Sequence, residues 1–185
     1  VERQLIKKVV KSDSRVLEIG CGIGLVSLVS RQLCPTGSDR SYEANPHMEK
    51  LIRKNYALNE LEPDLVMKAI TVDGEDLNFF VDDNIMSSSV IDRGRGDTET
   101  TIKSEKFDSA LTEVDPDVVI MDVEGAEVSL LTDANFHNVQ HMVVELHPHI
   151  VGQDTIDVLL NNLAVHGFTV SEQRGKVVLL KKNAH

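Results

Sequence analysis

Tryptophan is absent, aromatic residues make up 4% of the 185 residues, and there are only two cysteines, Cys21 and Cys34. Two thiols exclude a disulfide framework and a four-cysteine zinc site, and neither lies in a CxxC pair. Both are expected to be reduced thiols of a cytosolic-type protein. Positive charge is scarce as well: Lys and Arg number 19 against 30 Asp and Glu, a formal net charge of −11. Binding to phosphates or to an anionic membrane asks for a basic face, so neither nucleic acid nor membrane is an expected partner. No apolar run approaches the ~20 residues of a membrane-spanning helix, and no signal peptide opens the chain. A cytoplasmic setting is therefore expected, although the start at Val1 leaves a trimmed N-terminus open.

What is present suits one core. Hydrophobic residues make up 41% of the chain, and its length is close to that of a single domain, so residues 1–185 are expected to form one unit. The patterning predicts helices alternating with short apolar strands. Residues 2–11 have helical spacing, residues 15–19 (RVLEI) form a strand ending in glycines, and residues 25–33 form a helix that stops before Pro35. A second strand over 39–43, a helix over 47–59, a third strand over 64–72 and an extra strand over 77–81 follow. Residues 83–105 are polar and small, and are expected to be a lid-like loop. Then come a helix from 107, the most apolar strand over 117–123, a helix over 127–134, a strand over 141–147, a helix over 155–166, and a hairpin made of 168–172 and 176–182. Such alternation implies an α/β fold: a mostly parallel sheet, helices on both faces, and an antiparallel last strand. Ligands of such sheets bind beyond the carboxyl ends of the strands, which directs attention to the residues there.

The first strand runs into Glu18-Ile19-Gly20-Cys21-Gly22-Ile23-Gly24. Alternate glycines let a backbone turn tightly and lie against a ligand. A dinucleotide loop would place Gly or Ala where Leu25 stands, and a phosphate-binding P-loop would need a following lysine, so NAD and ATP are both disfavoured. The second strand ends at Glu43, twenty-three residues after Gly20, where an acid can accept hydrogen bonds from a ribose diol. The bland alternatives are a mere connecting turn and a solvated surface acid.

The E-x-G-x-G-x-G loop with an acidic second strand end resembles the Rossmann-like S-adenosylmethionine-dependent methyltransferases. Within them, residues 120–131 (IMDVEGAEVSLL) resemble the K-x-D-x-E-G-x-E-x-x-x-L signature of the FkbM type, and residues 42–46 (YEANP) resemble its F-E-P-N-P segment. There are departures: Glu18, Gly22, Ala44 and Met121 stand where that type usually has Asp, Asn, Pro and Lys. The resemblance implies a seven-stranded sheet of order 3-2-1-4-5-7-6 and S-adenosylmethionine as cofactor. It implies a cofactor site of Glu18, Gly20, Cys21, Gly22 and Gly24, with Glu43 on the ribose and Ala69 and Ile70 facing adenine. It also implies methylation of a hydroxyl on a small-molecule or saccharide acceptor.

Three residues are candidates for the chemistry. Asp122 and Glu124 follow the most apolar strand, and His147 follows the next one, so neighbouring strand ends would bring them together. A carboxylate or a histidine there can take the acceptor's proton. For Asp122 the alternative is a helix cap; for Glu127 a first-turn acid favoured by the helix dipole is the preferred reading. Nothing in the spacing demands a metal, and none is expected. Two rival functions remain at this stage, a non-catalytic cofactor-binding module and an NAD-dependent oxidoreductase. The sequence is silent on the oligomeric state.

Overall fold

The computed structural model describes residues 1–81 and 98–183. Helix α1 (Glu2–Val9) precedes β1 (Arg15–Ile19), and α2 (Leu25–Leu33) leads to β2 (Ser38–Tyr42). A single 3-10 turn at Pro46–Met48 opens α3 (Glu49–Ala57), where the Asn45 side chain accepts a hydrogen bond from the His47 N–H at 3.0 Å. This is the capping role expected of Asn before a first-turn proline. The chain then forms β3 (Asp64–Val66), β4 (Ala69–Thr71), β5 (Leu77–Val81), β6 (Thr98–Ile102) and β7 (Ser104–Lys106). Its second half runs through α4 (Phe107–Val114), β8 (Val118–Met121), α5 (Glu127–Thr132), β9 (His141–Glu145), α6 (Pro148–Val151), α7 (Gln153–Val165), β10 (Phe168–Arg174) and β11 (Val177–Lys182).

Seven strands form the main sheet in the order β10-β11-β9-β8-β1-β2-β3. β1 pairs in parallel with β2 and β8, and β8 with β9, whereas β11 runs antiparallel to both β9 and β10. This is the strand order that the resemblance implied, with the antiparallel last strand expected from the closing hairpin. The period-two alternation of the central strands sorts their side chains into two layers. Val16, Val118, Ile120, Val143 and Leu179 face one side and pack under α1 and α2. Leu17, Ile19, Val119, Met121, Met142 and Val144 face the other, against α4, α5 and α7. All four residues of β8 are buried, as a strand covered on both faces requires.

The expected third strand, 64–72, departs from a single ladder. β3 stays on the sheet edge beside β2, but the Lys68 N–H bonds the Val66 carbonyl in a tight turn, and β4 pairs with β7 in a separate two-stranded element. An ion pair from Lys68 to Glu105 at 3.0 Å ties the turn to β7. The expected lid over 83–105 is likewise corrected at its end. Thr98–Ile102 pairs antiparallel with Leu77–Val81, and Ser104–Lys106 pairs with Ala69–Thr71. Threonines and an isoleucine in that stretch suit strands better than a loop. The remainder of the expected lid, 82–97, lies outside the described residues. No helix among the described residues is long and apolar enough to cross a membrane.

Candidate functional site

A cavity of about 630 Å³ opens at the carboxyl ends of β1, β2 and β8. On one side stands the glycine loop. The N–H groups of Gly20 and Cys21 both bond the Tyr42 carbonyl, at 3.0 and 3.2 Å, which folds the loop over the end of β2. Gly20 has φ +80°, and a Cβ there would sit 1.8 Å from the Asp122 carbonyl oxygen, so only glycine lets β1 and β8 approach this closely. Glu43, at the end of β2, accepts hydrogen bonds from the Gly22 N–H at 2.7 Å and the Asn45 N–H at 2.8 Å. Burial pushes its carboxyl up, and these backbone donors pull it back toward the charged form.

Of the residues expected at a cofactor, Gly20, Gly22, Glu43, Ala69 and Ile70 line this cavity. Ala69 and Ile70 belong to β4, beyond the turn that ends β3. Glu18, Cys21 and Gly24 do not line it. Glu18 is buried beneath the loop, where its carboxylate accepts a hydrogen bond from the Ser41 hydroxyl at 3.2 Å. Cys21 packs with Leu28, Met48, Ile52 and Tyr56, and Gly24 lies against Ile52. Both cysteines are buried free thiols.

Asp122 and Glu124 line the opposite wall. Asp122 follows β8, and its N–H bonds the Ile19 carbonyl at 3.0 Å, which holds it beside the glycine loop. It does not cap α5, whose N-cap is Ala126 with no side-chain bond. Its side chain is 40% exposed, yet Oδ1 is buried and makes no hydrogen bond. Burial first, then the nearby carboxylates of Glu145 and Glu2, push its carboxyl up to about 7. His147 is buried behind it, with Nε2 3.6 Å from Asp122 Oδ1. The structure thus brings all three candidate catalytic residues together at adjoining strand ends, with His147 one layer behind the cavity wall.

Two features escaped the sequence reading. Glu127, expected as a first-turn acid favoured by the helix dipole, does stand in the first turn of α5, but it is completely buried and lies against His147. An acid inside an otherwise apolar helix turn, three residues after Glu124, was the available signal. Glu145 and Glu2 add two more carboxylates, whose oxygens lie within 4.8 Å of one another and of Asp122, so like charges crowd this end of the sheet.

Solved structures share the whole fold. The chain is similar to a precorrin-6y C5,15-methyltransferase from Geobacter metallireducens, with 17% identity, 98% of this chain and 86% of that one covered, and a TM-score of 0.58. A ribosomal protein L11 methylase from Lactobacillus delbrueckii is 14% identical over 98% of this chain and 77% of its own, with a TM-score of 0.54. For a putative RNA methyltransferase from Pyrococcus horikoshii the values are 13%, 99%, 83% and 0.55. At these identities the likeness concerns the fold: the Rossmann-like methyltransferase architecture. No curated protein sequence matches the chain. The model of the TRM5/TYW2 methyltransferase domain matches residues 1–94, just over half of the chain.

That match corrects two expectations. The FkbM type is not the family found, and the match spans the glycine loop and Glu43 but ends before the 120–131 block on which that resemblance leaned. The expectation of a small-molecule or saccharide acceptor with nucleic acid excluded does not stand either: the TRM5/TYW2 family match, together with neighbours such as the putative RNA methyltransferase of Pyrococcus horikoshii, conflicts with excluding nucleic acid. The net charge of −11 sums the whole surface and does not describe what a pocket at one sheet edge can admit. The oxidoreductase reading falls with the cofactor. The chain belongs to the TRM5/TYW2 methyltransferase domain family, and its methyl donor is S-adenosylmethionine.

Proposed function

We propose that this chain is a single catalytic domain that transfers a methyl group from S-adenosylmethionine to RNA. The observation that carries the reading is the shared cavity: Gly20, Gly22, Glu43, Ala69 and Ile70 line the same space as Asp122 and Glu124. In this reading the glycine loop lies along the methionine part of the cofactor, Glu43 holds the ribose hydroxyls, and Ala69 and Ile70 flank adenine. Glu18, Cys21 and Gly24 then shape the loop from behind. The bound cofactor supplies an electrophilic methyl carbon. Asp122 and Glu124 face the acceptor atom, orient it in line with that carbon and hold its departing proton, with His147 behind them. RNA as the acceptor class rests on the family and on the fold shared with the RNA methyltransferase of Pyrococcus horikoshii. Buried free thiols accord with a reducing, cytoplasmic setting.

The test is transfer of tritium from methyl-labelled cofactor into bulk RNA, compared with protein and with buffer alone. Label in RNA is the expected result, and label confined to protein would overturn the acceptor class. Asp122→Asn keeps the shape of the side chain, so cofactor affinity should hold while turnover falls ~10²–10⁴-fold, the usual worth of a positioned acid or base. Full turnover by that variant would remove Asp122 from the chemistry.

A further inference from the structure

Glu127 lies in the first turn of α5, where a solvated acid would satisfy the helix dipole equally well. Instead it is fully buried (0% exposed). A carboxylate in such a place is costly unless its oxygens are bonded, and both are. Oε2 accepts the Gly125 N–H at 2.7 Å, and Oε1 accepts the backbone N–H of His147 at 2.8 Å. The same Oε1 lies 3.4 Å from His147 Nδ1, an ion-pair separation at the long limit of a hydrogen bond. One carboxylate therefore fixes both the turn that carries Asp122 and Glu124 and the residue that follows β9.

The ring of His147 is 3% exposed and its two nitrogens meet different surroundings. Nδ1 faces Glu127. Nε2 faces the carboxylates of Asp122 at 3.6 Å, Glu145 at 3.9 Å and Glu124 at 4.0 Å. The ring of His149, from α6, lies with its centroid 5.7 Å away. Glu2, from α1, is the remaining acid at this end, beside Asp122 and Glu145. Nδ1 makes no hydrogen bond at this separation, but the Glu127 carboxylate is the acid it faces, so a tautomer with its proton on Nδ1 would point that proton at Glu127 and leave Nε2 able to accept one.

Methyl transfer to an N–H or O–H acceptor leaves one proton to be moved. The bond from sulfur to the methyl carbon breaks, its electron pair stays on sulfur, the acceptor lone pair forms the new bond to carbon, and the acceptor's hydrogen departs as a proton. We propose that Glu127 is the positioning residue of a relay in which Asp122 takes that proton and passes it to Nε2 of His147. The proposal rests on the reading above that Asp122 faces the acceptor. The buried Oδ1 of Asp122 has no hydrogen-bond partner and lies closer to Nε2 than the carboxylate oxygens of Glu145 and Glu124 do. A gap of 3.6 Å is within what unliganded sites close on binding. The electrostatics agree. Glu127, above all other groups, raises the proton affinity of His147, with Asp122 and Glu124 adding to it. Burial opposes the charge on Glu127, but the ring and backbone of His147 outweigh it and hold its carboxyl below the usual value.

Long-range proton–nitrogen NMR of the protein labelled with nitrogen-15 histidine tests this without any acceptor, with His147→Gln assigning the signal. In the wild type, neutral His147 is expected to carry its proton on Nδ1, the minor tautomer of free histidine, and to titrate above free histidine. In Glu127→Gln its midpoint should fall by at least about one pH unit, a tenfold change in proton affinity, and the tautomer should shift toward Nε2–H. A wild-type Nε2–H tautomer, or an unchanged midpoint in folded Glu127→Gln, would overturn the relay. Should that variant not fold, Glu127→Asp and the wild-type tautomer decide in the same way. Turnover supplies the second arm: Glu127→Gln should displace the pH profile of kcat while leaving KM for the cofactor unchanged. An unmoved profile would reduce Glu127 to a brace and also overturn the proposal. Failure of RNA as acceptor would leave the NMR result standing, so the two readings fail separately.

Discussion

Gly20 and Gly22 are two residues apart in one loop, yet the space around them differs. A methyl group on Gly20 would meet the Asp122 carbonyl oxygen at 1.8 Å, whereas one on Gly22 meets nothing within 4 Å. Gly20→Ala is therefore expected to destabilise the fold by at least about 3 kcal/mol, since either β1 or β8 must move. Gly22→Val, at φ +56°, should cost only ~1–2 kcal/mol of backbone strain and leave a folded protein that has lost cofactor affinity. Denaturant unfolding and titration calorimetry separate the two; a folded Gly22→Val that binds as well as wild type would remove the loop from the cofactor site. For Glu43, alanine should weaken cofactor binding by ~2–3 kcal/mol, the worth of charge-assisted hydrogen bonds. Part of that loss arises indirectly, because Glu43 also holds the Gly22 N–H. Unchanged affinity in Glu43→Ala would make it a brace for the loop alone. The residue types at these positions were legible because glycine spacing and an acidic strand end have few other uses. The burial of Glu127 was not legible: the Gly125 N–H is a local partner, but the His147 N–H and ring come from the far end of β9, which only the fold brings beside it.

The β1–β2 pair buries two acids on one face. Their parallel register sets Glu18 beside Ser41 and Val16 beside Asp39, so Glu18, Asp39 and Ser41 share the layer under α2. Both acids are buried, and one Ser41 hydroxyl faces both, at 3.2 and 3.3 Å. Burial is the main cause that raises Asp39 to about 7; Glu18 is pushed up as well, by burial first and Asp39 second. A buried acid whose folded value is raised stabilises the fold fully below its unfolded value near ~3.9, and that stabilisation is lost as pH climbs through about 7. Asp39→Asn removes the charge and is expected to gain stability over wild type as pH rises from 5 to 8, by the order of 2 kcal/mol, or a few degrees in Tm. Thermal unfolding at both pH values checks this, and an equal margin at pH 5 and 8 would sink it. The strands themselves were readable from apolar runs bounded by Gly, Pro and Asp. The split of 64–72 into β3 and β4 was not, because the run is continuously strand-like and its break depends on β7 offering Ala69–Thr71 a second partner.

On the scale of the whole molecule, an acidic chain is paired with a polyanionic substrate in our reading. Strand order and the reversed β11 followed from the alternation of elements and from the resemblance, but the acceptor did not, because charge counted along a chain carries no information about where it sits. The deficit of cations nonetheless constrains how RNA is held. A protein that neutralises six to ten phosphates loses ~10³–10⁵ in affinity between 50 and 200 mM salt, with a slope of log affinity against log salt near −0.9 per contact on a duplex and −0.7 on a single strand. Acids outnumber Lys and Arg by 30 to 19, and among the described residues Lys8, Arg15, Arg40, Arg53, Lys68, Lys103, Lys106 and Arg174 are already engaged in ion pairs. Binding to RNA by this chain is therefore expected to be weak and to have a shallow slope, of magnitude below about 3, with affinity coming from the base that enters the cavity rather than from phosphates. Fluorescence anisotropy of labelled RNA across that salt range, with the cofactor product bound, measures it. A slope of −6 or steeper would show a phosphate-binding face assembled in spite of the net charge, and would move the source of affinity from the pocket to the surface.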